Sequence, residues 1–205
     1  MKQALLIFVK NLIHGQVKTR LAATVGNDMA LTVYQKLLQH TVTITHQLTL
    51  NKIVFYSNSL VETDIWKNNV YNKQLQSGID LGERMQNAFI AAFENGNNRV
   101  AIIGSDCFEL TSTIILKAFE NLKNNDVVIG PAKDGGYYLL AIKKNHPQLF
   151  QNINWSTDEV LKQTLSVCNN LNLSVYLLPE LTDIDNENDL NKIKDKLFSP
   201  KEIQV

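Results

Sequence analysis

Only two cysteines occur in the chain, Cys107 and Cys168, far apart and without metal or redox spacing. Neither a disulfide framework nor a thiolate metal site is expected from them, and a reducing cytoplasm is the expected setting. Charge of one sign is also missing. The 205 residues carry 20 basic and 20 acidic side chains, a formal net charge of zero. No global field then draws the molecule to nucleic acid or anionic lipid, so any anion site must be local. No apolar run reaches the roughly 18 residues of a membrane span. The opening MKQALLIFVK has too short an apolar stretch and no small-residue cleavage site for a signal peptide. With four prolines and nine glycines, no linker divides the sequence, and one domain over residues 1–205 is expected.

What is present is an ordinary globular composition, 44% hydrophobic and 20% charged, able to bury a full core. Ala4 to Val9 is a continuous apolar run of the kind buried on both faces of a parallel sheet. Further strands are predicted at Lys52 to Tyr56, Val100 to Gly104, Val127 to Ile129, Tyr137 to Ile142 and Leu173 to Leu178. Helical spacing links Ala30, Val33, Tyr34, Leu37, Leu38 and Thr41, continuing to Ile44 and Leu48, and again links Leu81, Met85, Ala88, Phe89, Ala92 and Phe93. Helices are also predicted over Thr111 to Asn121, from Ser156–Asp158 to about Asn169, and over Asn186 to Lys196. Trp66 to Ser77 is the least periodic stretch, expected to hold an insertion or an extra edge strand. The alternation implies an α/β, Rossmann-like fold with a mostly parallel sheet flanked by helices, whose ligands bind beyond the carboxyl ends of the strands.

Four polar clusters follow predicted strands. In FVKNLIHGQVKTRLA, residues 8–22, Lys10, Lys18 and Arg20 gather without an acid, and Gly15 permits close backbone approach. Such cations suit phosphate oxygens, although the loop has neither Walker nor GxGxxG spacing; the bland alternative is a solvated turn. Gly104-Ser105-Asp106 puts an acid at a strand exit, where it needs a partner, and Asp106 is a ligand type for Mg²⁺ or a helix cap. Asp134-Gly135-Gly136 is a hairpin signal that also leaves room beside a backbone. Asp183 and Asp185 fall on one side of an extended segment and could share a cation with Asp106, Asp185 or Asn186 capping the last helix instead. Asp80 is read as a helix cap, Ser156 or Thr157 as another, and Trp155 as a residue able to pack against a substrate. Cys107 is read as buried packing.

The segments FVKNLIHGQVKTRLA, DLGERM, IGSDC, GPAKDGGYYLLA, NWST and TDID, in that order over residues 5 to 190, resemble the DUF2064 family of bacterial glycosyltransferase-like proteins, the radical-SAM/selenodomain-associated transferase 1 group. That family is similar to the GT-A nucleotide-diphospho-sugar transferases and to guanylyltransferases acting on molybdenum cofactor and 2-phospholactate. The resemblance implies a nucleotide- and phosphate-binding role for Lys10, Gly15, Lys18, Arg20 and Ser105. It implies a divalent cation, Mg²⁺ or Mn²⁺, on Asp106 with Asp183 or Asp185, and an acceptor side at Gly135, Gly136, Tyr137 and Trp155. Asp106 and Asp134 would be the catalytic residues, Asp134 as base. Leu12 and His14 stand where the family loop has prolines, which predicts a less rigid loop.

The expected activity is sugar transfer from a nucleotide-diphospho-sugar to a small-molecule acceptor, with no nucleic acid and no membrane span involved. A nucleotidyltransferase releasing pyrophosphate is the alternative. A catalytically idle nucleotide-binding protein on the same fold is a third reading.

Overall fold

The computed structural model describes residues 2–199. The predicted first strand forms β1 (Gln3–Val9), and its flanks follow as β2 (Asn51–Tyr56) and β3 (Asn72–Leu75). The remaining strands are β4 (Arg99–Ile103), β5 (Val127–Pro131), β6 (Tyr137–Ile142) and β7 (Val175–Leu177). They build one seven-stranded sheet in the order β3-β2-β1-β4-β6-β5-β7. All neighbours are parallel except β6, which runs antiparallel to both β4 and β5. The weakly patterned Trp66–Ser77 stretch supplies the edge strand β3, as expected.

Among the described residues, six α-helices accompany this sheet: α1 (Thr19–Val25), α2 (Asn27–Thr45), α3 (Leu81–Glu94), α4 (Ser112–Asn121), α5 (Val160–Asn170) and α6 (Glu187–Phe198). Side chains of β1 alternate between two cores. Leu5, Ile7 and Val9 join Tyr34 and Leu38 of α2 and Ile115 and Phe119 of α4. Ala4 and Leu6 join Met85 and Phe89 of α3 and Cys168 of α5. A smaller cluster of Leu21, Val33, Leu37, Ile184 and Leu190 binds α1, α2 and α6 together. The interleaving of strand and helix therefore reads directly as two helical layers on one sheet.

Side chains cap three helices, Asp80 as expected and Asn186 rather than Asp185 at the last. Asp80 accepts from Glu83 N at 2.8 Å, Thr111 from Ile114 N at 3.3 Å and Asn186 from Asp189 N at 3.1 Å. Two expectations are corrected. The basic stretch after β1 is not all loop, because Thr19–Val25 forms α1. The helix predicted from Ser156–Asp158 begins only at Val160. Ser156 takes a left-handed backbone with φ of 64°, incompatible with a helix start, and Thr157 turns its hydroxyl back to Asn154 O at 2.7 Å. The first turn of α5 is satisfied instead by Gly135 O, which accepts from Leu161 N at 2.9 Å. Smaller shifts are the end of α2 at Thr45 and the shortening of the last strand to Val175–Leu177.

Candidate active site

The carboxyl ends of β1 and β4 open into a cleft of about 730 Å³. Because β6 runs backwards beside β4, the β5–β6 hairpin tip reaches the same end of the sheet. Gly104 N donates to Tyr138 O at 3.3 Å where the two strands part. The tip is a tight turn, with Ala132 N bonded to Gly136 O at 3.0 Å and Gly135 N to Ala132 O at 3.1 Å. Asp134 Oδ1 accepts from Gly136 N at 2.9 Å, so Asp134 shapes the turn while lying exposed at the cleft. Gly135, with φ of +87°, is obligatory: a Cβ there would collide with the backbone of Asp158.

The late acids arrive by an extension of the sheet. Beyond β7, Leu181 N donates to Pro131 O and Lys133 N to Leu181 O, both at 3.0 Å. Ile184 N then donates to Asp106 O at 3.0 Å, which fastens the Asp183–Asp185 segment to the exit of β4. Asp106, Asp134, Asp183 and Asp185 thereby share one cleft with Lys10, Lys18 and Arg20.

Lys18 is the centre of this group. Its backbone is left-handed, with φ of 49° and ψ of 45°, immediately before α1. Its side chain is only 5% exposed, and Nζ lies 2.9 Å from Asp106 Oδ1 and 3.2 Å from Asp185 Oδ1. Burial alone would push the ammonium down, but the Asp106 and Asp185 carboxylates outweigh it and raise its pKa above the ordinary lysine value. Arg20 stays exposed with its guanidinium 4.0 Å from Asp185 Oδ2. Asp183 reports the opposite imbalance. Burial first, then the Asp106 charge with Asp134 and Asp185 adding and Lys18 opposing, pushes its carboxyl up to about 7.

Around this centre Tyr34 ties two strand exits together. Its hydroxyl accepts from Lys10 N at 2.7 Å and meets Ser105 Oγ at 3.1 Å. Ser105 is thus buried behind the cleft, while Lys10 projects at its rim. Gly15, at φ of +75°, lies outside the cleft lining in the exposed turn. In that turn His14 Nε2 pairs with Asp28 Oδ1 at 3.0 Å at the start of α2, and Leu12 is exposed. Asn11 holds the turn from the other side, donating through Nδ2 to Ser59 O at 2.8 Å and accepting from Asn58 N at 2.9 Å.

The other end of the cleft is apolar and aromatic. Phe8, Leu81, Met85, Tyr137 and Trp155 line it. Trp155 lies against α3 at Gly82, where any Cβ would run into the indole. Tyr137 points its hydroxyl into a buried position beside Thr164, and burial holds that phenol well above its ordinary pKa. Gly82 and Tyr34 went unnoticed as site-builders in the sequence. An isolated glycine near a helix start does signal close approach, whereas Tyr34 looks like any core residue of an amphipathic helix.

Among the described residues, no group of three or more His, Cys, Asp or Glu side chains is arranged to hold a metal ion. Lys18 Nζ stands between two of the acids instead. The donor chemistry nevertheless fits a hard divalent cation. Every candidate donor is a carboxylate, and Asp106 and Asp185 remain 39% and 34% exposed. Asp183, its carboxyl pushed up by burial and then by the Asp106 charge, is the most enclosed of these acids.

This architecture is the nucleotide-diphospho-sugar transferase fold. A candidate nucleotide-diphospho-sugar transferase from Desulfovibrio desulfuricans G20 superposes with a TM-score of 0.87 at 33% identity, over 97% of this chain and 90% of that one. The DUF2064 family model, described as an uncharacterized protein conserved in bacteria, matches residues 33–157. The chain belongs to the DUF2064 family. More distant structures share the fold alone. A 4-diphosphocytidyl-2C-methyl-D-erythritol synthase from Anaerococcus prevotii DSM 20548 has a TM-score of 0.61 at 11% identity, covering 97% and 99% of the two chains. CMP:2-keto-3-deoxy-manno-octonic acid synthetase complexed with CTP has a TM-score of 0.52 at 10% identity, covering 96% and 98%. Among curated proteins, nothing matches. Among the described residues, no helix is long and apolar enough to cross a membrane.

Proposed function

We propose that this chain is a cytoplasmic glycosyltransferase that passes a sugar from a nucleotide-diphospho-sugar to a hydroxyl of a small-molecule acceptor. The observation that carries the reading is the convergence of Lys18 with Asp106 and Asp185, at 2.9 and 3.2 Å, on the floor of a cleft that also holds Asp183 and Asp134. Cations that close to a surplus of acids suit a ligand that brings its own negative charge together with a divalent metal.

Lys10, Lys18 and Arg20 bind the diphosphate and offset the charge that grows on it as it leaves. Ser105 and the Gly15 turn hold this loop in place. Asp106 with Asp183 or Asp185 would hold Mg²⁺ or Mn²⁺, which supplies charge neutralisation at the leaving diphosphate. On the acceptor side, Gly135 and Gly136 fix the hairpin tip, and Tyr137 and Trp155 form the wall against which the acceptor lies. Asp134 takes the proton of the attacking hydroxyl. The hydroxyl oxygen bonds to the anomeric carbon, the carbon–oxygen bond to the β-phosphate breaks, and the nucleoside diphosphate departs with that electron pair.

A second reading is nucleotidyl transfer with release of pyrophosphate, favoured by the fold shared with cytidylyltransferases, one of them complexed with CTP. Thermal shift with nucleotide sugars and with nucleoside triphosphates, each with and without Mn²⁺, separates the two. Metal-dependent stabilisation by nucleotide sugars, followed by sugar transfer across an acceptor panel, is the expected result. A response to triphosphates alone, with pyrophosphate release, replaces it with the second reading. Binding without turnover leaves an idle nucleotide binder.

A further inference from the structure

The most buried cation of the cleft sits on two of the groups that the proposed function assigns to the metal. We propose that Lys18 is an internal stand-in for the divalent cation. Its ammonium holds Asp106 and Asp185 in the ligand-free protein, and it releases them when an incoming diphosphate draws the ammonium onto its own oxygens. Metal and diphosphate then bind as a pair rather than independently. This inference rests on the metal-dependent reading above.

Three observations support it. First, Lys18 Nζ engages Asp106 Oδ1 and Asp185 Oδ1 at 2.9 and 3.2 Å, two acids 79 positions apart in the chain, one at the exit of β4 and one ahead of α6. An ammonium has three donors, so one direction remains for a third acceptor. Second, the lysine is 5% exposed while the two acids are 39% and 34% exposed. The acids are open to an ion entering from the cleft, and the lysine neutralises them from within. Third, the group is crowded with carboxylates. Asp134, Asp158 and Asp183 line the same cleft as Asp106 and Asp185, five carboxylates against the three cations Lys10, Lys18 and Arg20. An ammonium lost from such a group must be replaced by another cation, and a divalent ion that arrives first must compete with the ammonium. The left-handed backbone at Lys18 places it at the junction of the turn and α1.

Because coupling is reciprocal, the diphosphate should raise metal affinity by the factor by which metal raises diphosphate affinity. The test is Mn²⁺ binding followed by electron paramagnetic resonance, on wild type, Lys18→Arg and Lys18→Met, alone and with inorganic pyrophosphate as probe. Wild type is expected to bind Mn²⁺ weakly alone and at least tenfold more tightly with pyrophosphate. Lys18→Met is expected to bind Mn²⁺ alone at least tenfold more tightly than wild type and to lose the response to pyrophosphate. Lys18→Arg, which keeps the charge, is expected to stay weak, and its melting curve shows whether the fold tolerates change at this position. Wild type that binds Mn²⁺ alone as tightly as Lys18→Met overturns the stand-in role but leaves the metal site standing. Absence of Mn²⁺ binding in every variant, with and without pyrophosphate, overturns both.

Discussion

Two lysines of this molecule are buried against aspartates, and they do opposite things. Lys73 of β3, its side chain 10% exposed, donates to Asp64 Oδ1 at 2.8 Å, Val61 O at 2.9 Å and Glu62 O at 3.0 Å. Asp64 in turn accepts from Tyr56 OH and from Trp66 N. One positive charge meets one negative charge, and each donor has its acceptor. That network staples the irregular 57–71 segment to the sheet edge. Lys18 instead serves two acids with three more, Asp134, Asp158 and Asp183, in the same cleft, five carboxylates against three cations. The ion pair as such does not distinguish structure from function. The surplus around it does, because a balanced buried pair has nothing to offer a ligand.

The largest effect expected from this contrast is on turnover. Asp106→Asn should lower sugar transfer by about 10³-fold, the order seen when a charge-stabilising group is removed from an active site, while the melting midpoint moves little. Comparable activity in wild type and variant would dissolve the distinction. Next comes Asp64→Asn, which strands the Lys73 charge and should cost about 3 kcal/mol in urea unfolding with the folded fraction fully active. The double variant Asp64→Asn/Lys73→Met should recover part of that loss. Third is the pH response of chelator-treated protein. Asp183 has a folded pKa of about 7, above its ordinary value of 3.8, so the folded state holds the proton more tightly than the unfolded chain. Its contribution to stability is therefore full below about pH 4 and is lost as the pH rises to about 7. Asp183→Asn should flatten that slope, as read by chemical denaturation across the range. Smallest is His14→Ala: the pair with Asp28 is exposed, with side chains 58% and 100% accessible. It should change stability by less than about 0.5 kcal/mol, the usual value of a surface pair.

Much of the fold could be read from the residues because hydrophobic period and burial agree along the chain. The run Ala4–Val9 is buried on both faces because helices cover both, and Leu81 to Phe93 repeats at helical spacing because one side meets the sheet. Local signals failed where a distant partner decided the outcome. Ser156-Thr157-Asp158 looks like a cap, but Gly135 O, from a hairpin far away in the sequence, satisfies the helix end instead. Thr19–Val25 hid inside a basic stretch, and its helix is anchored by Leu21 against α2 and α6. The resemblance brought the cleft residues onto one list, and most of them do line one cleft. It gave no hint that Lys18 pairs with Asp185, because a contact across 167 positions leaves no periodicity behind.

The reversed strand β6 has a consequence for how this cleft can change. A parallel strand would have required a long crossover, whereas the hairpin returns within a few residues. Its tip is fastened at both shoulders, by Ala132 bridging to Leu181 and by Gly135 O receiving Leu161 N. Only the exposed Lys133–Asp134 step lies between these fixings. Residues spliced in at that step would open the turn bond from Gly135 N to Ala132 O and displace Asp134, between two fixings that tie the tip to the late segment and to α5. Gly135 itself admits no side chain, because a Cβ there would meet the backbone of Asp158.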